Sequence, residues 1–141
     1  MPSTFETILG AIIVALSDAL SAEVLRDQPL PDAIGADGMV ILREGDPGEP
    51  FVVMSPLSYT FDHQLTLEVM VQGGSGRDAA FDAIKVAIGG VFAADRTLGG
   101  LCEWVEMGPP EASDEPFYGA DPVKMGVIPL TITYTTSNPL D

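Results

Sequence analysis

A chain of 141 residues fits one domain and is long enough to bury roughly two-thirds of the surface its unfolded form exposes. Six Lys plus Arg stand against 21 Asp plus Glu, a formal charge of −15, which excludes a grip on a phosphate backbone because that affinity comes from basic side chains releasing counterions. A hydrophobic content of 46% excludes disorder for most of the chain, and the lone Cys102 excludes an internal disulfide and reads as a small buried side chain in a reducing compartment.

Ser3-Thr4-Phe5-Glu6 fits a capping box, in which the Ser3 hydroxyl accepts from the backbone three residues on and Glu6 reaches back to the cap amide. Phe5, Ile8, Leu9, Ile12, Ile13, Leu16, Leu20 and Val24 then fall on one arc, which predicts a core-facing amphipathic helix over 3–26. The opposite arc is unusual. It carries Thr7, Gly10, Ala11, Val14, Ser21 and Ala22 around Asp18, where an ordinary surface helix carries Lys and Glu. Small residues admit a second backbone closely, so Thr7, Gly10, Ala11, Val14, Asp18 and Ser21 are expected to meet a neighbouring subunit, with a second contact inside the chain as the alternative. The apolar run Ile8 to Leu16 falls short of the ~20 residues of a membrane span, and the start lacks the basic residues of a secretory signal; the chain is expected to stay soluble in the cytoplasm.

Gln28-Pro29-Leu30-Pro31 stops the helix. Met39 to Leu42 reads as a short strand, Glu44 to Pro50 as a turn with acid at its tip, and Phe51 to Met54 as the returning strand, held at an edge or bent away from the next strand by Pro56. From Leu57 to Gln72 runs a long strand, so that 39–72 forms a hairpin and long strand. Its odd positions Tyr59, Phe61, His63, Leu65, Leu67, Val69 and Val71 make one dry face, and its even positions are polar, Met70 excepted. Gly73-Gly74-Ser75-Gly76 breaks the alternation, and Phe81, Ile84, Ile88, Val91 and Phe92 mark a helix over 78–94 with Ser75 or Asp78 as its cap. Gly89-Gly90 costs that helix ~1 kcal/mol per glycine relative to alanine and marks close packing or an early end. A strand over 101–107 with Cys102 and Trp104 on one face, an acidic proline-rich loop over 108–122, and a closing strand over 123–136 complete the chain. The expected fold is a single α+β domain, a mainly antiparallel sheet with two helices on one face.

The chemical motifs fail on their surroundings. Gly74-Ser75-Gly76-Arg77-Asp78-Ala79 matches G-x-G-x-x-A, with Asp95 near where a ribose-binding acid lies, but the strand before it alternates cleanly where a dinucleotide fold needs one buried on both faces of a parallel sheet. Arg77 stands where a nucleophile elbow needs its last glycine, and His63, the single histidine, lies on the dry face as a core residue. His63 and Cys102 are isolated and the acids lack calcium-loop spacing, so no catalytic residue, metal or cofactor is expected.

In this order of elements the chain resembles the tail terminator proteins of long-tailed bacteriophages. The likeness lies in Glu49-Pro50-Phe51-Val52-Val53, the strand Leu65 to Val71, the helix from Asp78, and the closing Ile128-Pro129-Leu130-Thr131-Ile132-Thr133-Tyr134-Thr135-Thr136. The resemblance implies a hexameric ring that caps the tail tube, stops its polymerisation and offers its other face to the head connector or stopper protein. It also implies a virion protein assembled in the host cytoplasm, with DNA passing through an electronegative lumen without specific binding and no membrane involved. The acids Glu44, Asp46, Glu49, Asp62, Glu68, Glu111, Asp114, Glu115 and Asp121 are then expected on the channel wall or its rims. Another small neck or tail completion protein, or an acidic adaptor domain, is the alternative.

Overall fold

The computed structural model describes residues 2–29, 34–73, 75–115 and 123–141, with the backbone alone at 113–115. These form two helices, α1 (Thr4–Ala19) and α2 (Arg77–Ala94), and a sheet of seven strands: β1 (Glu23–Arg26), β2 (Met39–Asp46), β3 (Phe51–Met54), β4 (Leu57–Gln72), β5 (Trp104–Met107), β6 (Glu111–Glu115) and β7 (Val123–Thr136). The α+β architecture is the expected one.

Two long strands carry the sheet. β4 and β7 pair antiparallel from Tyr59↔Thr136 to Gln72↔Val123, and each is flanked on its other side by two short strands laid end to end. β2 and β3 both run antiparallel to β4; β5 and β6 both run antiparallel to β7. This corrects the expected hairpin. Of the expected turn 44–50, residues 44–46 belong to β2 and only 47–50 interrupt one discontinuous strand, and the chain reverses at Ser55-Pro56, where Met54 faces Leu57. The acidic stretch 108–122 is corrected too, because Glu111–Glu115 pairs with β7; Pro109 and Pro110, which cannot sustain a ladder, only separate β5 from β6.

The first helix is shorter than its hydrophobic stripe. It ends at Ala19, where Leu20 turns extended and its N–H closes on the Leu16 carbonyl, and 23–26 becomes β1, parallel to β2. Helical and strand periodicity coincide at Leu20 and Val24, since both pack on the same core from different elements.

Ile8, Leu9, Ile12 and Leu16 of α1, with Phe81, Ile84, Ile88 and Phe92 of α2, bury against the odd face of β4 and the matching residues of β2 and β7. Each such side chain contributes roughly 1.5–3 kcal/mol on leaving water. The other face is dry at one end. Met39, Ile41, Met70 and Val123 form a second cluster with Leu25, Ile34 and Met125, which accounts for Met70 breaking the alternation.

The expected cap of α1 is half right, and neither Ser75 nor Asp78 caps α2. Ser3 Oγ accepts from the Glu6 amide at 3.2 Å, but the Glu6 carboxylate turns to Arg26 rather than to the cap. α2 begins at Gly76 with no side-chain cap, and Asp78 pairs instead with Lys124 Nζ at 2.9 Å. Gly89 and Gly90 neither end α2 nor pack closely, for a β-carbon at either would meet nothing within 4 Å.

Candidate functional site

The groups that could do chemistry are engaged in structure. His63 is buried, with Nε2 donating to the Glu44 carbonyl at 2.6 Å and Nδ1 3.1 Å from the Tyr134 hydroxyl, while Phe5 stacks on its ring at 3.9 Å. With the N–H on Nε2, the neutral ring accepts a hydrogen bond from the Tyr134 hydroxyl at Nδ1, so both ring nitrogens have a partner. Burial, the larger effect, holds its pKa below the ordinary value against the pull of the Glu44 carbonyl and Asp46. Burial likewise raises Cys102 and Tyr134. Asp95 is consumed by its own turn, accepting from the Thr97 amide at 3.1 Å and the Gly99 amide at 2.8 Å, which hold its pKa low. β4 is antiparallel to both neighbours, so the strand before the glycine run belongs to no dinucleotide-binding unit. Among the described residues, no three His, Cys, Asp or Glu gather to hold a metal ion.

What the fold displays is surface, and it falls into three kinds. At the far end of β4, beyond α1, the β3–β4 hairpin projects with Phe51 72% and Met54 77% exposed, and Val52, Val53 and Leu57 also open to solvent. Among the described residues β3 pairs with β4 alone, leaving its other edge free. From Pro50 to Thr60 there is no charged residue. The sequence carries a signal for this surface: Phe51-Val52-Val53-Met54 lacks the alternation of a half-buried strand and sits between two prolines.

The second surface is the outer side of the helices. Thr7, Gly10, Val14, Asp18 and Ser21 are exposed and Ala11 half-buried, with Val14 59% open, whereas Ala22 of the same expected arc is buried in the core. α2 continues the outer side through Ala79, Ala83, Val86 and Gly90, spaced to lie on one side, with Val86 63% exposed. An open groove of about 310 Å³ runs between the end of α1, the start of β1 and α2, lined largely by Ala19, Ser21, Ala22, Ala80, Ala83 and Ala87.

The third is the polar face of the sheet. Asp62 and Glu68 both point there, Asp62 accepting from Thr133 Oγ1 at 2.6 Å and Glu68 paired with Arg43 at 3.3 Å. Thr60 bonds Thr135 at 2.8 Å on the same face, and Arg96 lies over the half-exposed Trp104 ring at 5.2 Å, whose Nε1 donates to Glu106 at 2.8 Å. The nine acids expected on a wall or rim are not one group. Glu44 lies on the helix side, its carboxylate 2.9 Å from Arg26, which also holds Glu6 at 2.6 Å. Asp46 caps the Gly48 amide at 2.8 Å, and Asp46, Glu49 and Glu111 are exposed. Asp114 and Glu115 lie on β6 by their backbone, and Asp121 falls outside the described residues.

Arg26, Arg43, Lys85, Arg96 and Lys124 each have a carboxylate partner. The cations are thus spent inside an acidic surface. No helix among the described residues is long and apolar enough to cross a membrane.

No family model and no curated protein matches the chain. Among solved structures, it is similar to a chain of "Virion of native gene transfer agent (GTA) particle", at 12% identity over 86% of this chain and 83% of that one, with a TM-score of 0.37. An overlap of that depth carries no functional conclusion.

Proposed function

We propose that this chain is a structural virion protein, the tail terminator of a long-tailed phage. In this reading six copies form a ring at the head-proximal end of the tail tube, end tube polymerisation and join the tail to the head connector. One observation carries the proposal: a molecule of net charge −15 keeps two extended surfaces almost free of charge, the β3–β4 hairpin and the outer side of α1 and α2. Copies of so acidic a chain repel one another within a Debye length of about 8 Å at physiological salt. Self-association is therefore favoured through surfaces poor in acid: the hairpin, which carries no charge from Pro50 to Thr60, and the back of α1, where Asp18 stands among small and apolar residues.

The polar sheet face then serves the lumen. Asp62 there has a hydroxyl partner rather than a cation, and an electronegative wall lets DNA slide without adhering. Asp46, Glu49 and Glu111 fall to the rims. The protein acts by fit between rings and needs no catalytic group or cofactor.

The test is tube growth. Purified tail tube protein is polymerised with and without this chain, and tube length and end density are read by electron microscopy. Shorter tubes with a ring at one end only are expected. Unchanged lengths with bare ends would refute the proposal.

A further inference from the structure

We infer that copies of this chain join head to tail, the β3–β4 hairpin of one seated in the alanine-lined groove of the next. This rests on the ring reading above and names the contact that builds the ring. The two surfaces lie at opposite ends of β4. β4 leaves the hairpin turn at Leu57, whereas the groove includes Asp37, two residues before Met39, which pairs with Met70. Thirteen residues of strand separate Leu57 from Met70, roughly 43 Å at ~3.3 Å per residue. One chain therefore cannot fill its own groove with its own hairpin.

Shape and charge match across the two. The hairpin offers large apolar side chains on both of its faces, Phe51 on one and Met54 on the other, each more than 70% exposed. The groove offers small ones, Ala80, Ala83 and Ala87 of α2 with Ser21 at the end of α1, around an opening of about 310 Å³. Buried aromatic and methionine anchors in small-residue pockets are what central interface contacts are made of. Asp37 lines the groove, and a hairpin with no charge from Pro50 to Thr60 meets it without repulsion, which an acidic segment of another copy would not.

A contact between two different patches is heterologous. Each copy keeps one free hairpin and one free groove until the last joins the first, so the contact closes into a ring or runs on as a filament, and a two-fold dimer does not satisfy it. The helix glycines fit the same picture. Gly10, Gly89 and Gly90 have open space where a β-carbon would go, and no contact within the chain accounts for their cost.

Disulfide trapping tests the pairing. In a Cys102→Ala background, Met54→Cys and Ala83→Cys are placed in one chain and oxidised with copper phenanthroline, with Phe51→Cys and Ser21→Cys as a second pair should the first disturb folding. The double variants are expected to give a ladder of covalent oligomers on a denaturing gel, while each single variant stays monomeric. A covalent dimer from Met54→Cys alone means hairpins meet hairpins, and one from Ala83→Cys alone means helix faces meet each other; either overturns the inference. No crosslink in a protein whose native mass is that of a ring overturns the inference and leaves the ring standing. No crosslink in a protein that is monomeric overturns both.

Discussion

A side chain at Gly45 would begin 1.9 Å from the Gln64 carbonyl oxygen, on a residue already at φ +65. The reason is local: between Arg43↔Thr66 and Asp46↔Gln64, β2 places two residues opposite Leu65, and Gly45 is the one that takes the left-handed bend. That bulge has a purpose one residue earlier. It accompanies the Glu44 carbonyl that accepts from His63 Nε2, so a bend in an edge segment satisfies a buried ring in the central strand. Gly45→Ala is expected to cost at least about 2–3 kcal/mol, from clash plus strain, read as a lower denaturant midpoint.

His63 adds a pH dependence whose sign is fixed by its burial. The folded pKa lies below the ordinary 6.5, so as pH falls the unfolded chain takes the proton first. The stabilisation is complete above pH 6.5 and is lost progressively as pH falls through 6.5 toward the folded pKa. Denaturant melts between pH 7.5 and 5.5 should show stability falling on acidification, and His63→Gln should flatten that slope. An equal slope in the variant would assign it elsewhere. That His63 is a core residue was legible from its place in the odd series of β4. Its partners were not, because Tyr134 lies 71 positions away and Glu44 contributes backbone, which carries no side-chain signal.

At the scale of elements, α2 and β7 could be read almost to the residue, since α2 carries one helical stripe after the glycine run and β7 alternates from Ile128 to Tyr134. α1 could not be ended correctly because Leu20 and Val24 continue its stripe from an extended segment. The end-to-end pairs β2/β3 and β5/β6 were hidden for a related reason. Prolines at 47, 50, 109 and 110 look like turns, and only the register of β4 and β7 reveals that the chain resumes the same course after them. The outer face of α1 stands out as an interface candidate from composition alone, and Thr7, Gly10, Val14 and Asp18 are exposed, as a contact with a neighbouring subunit requires. Val14→Lys and Ala11→Lys are therefore expected to dissociate the oligomer in light scattering, and Val14→Lys, on an open surface, to shift stability by no more than about 0.5 kcal/mol. An oligomer that survives both would remove α1 from the interface.

The whole molecule is a set of faces with different charge. Its helices and the dry side of its sheet make the core, its hairpin carries no charge, the back of α1 is small and apolar around Asp18, and Arg26, Arg43, Lys85, Arg96 and Lys124 each pair with a carboxylate. The sequence announced the surplus of acid but not its distribution, which depends on register and on which carboxylates Arg26 and Arg43 neutralise. The proposed ring requires association through a small part of this surface, with the rest kept negative. Native mass spectrometry at micromolar concentration and physiological ionic strength tests that most directly. A closed ring of six copies is predicted; a chain that stays monomeric, alone and with tail tube protein added, would contradict the account.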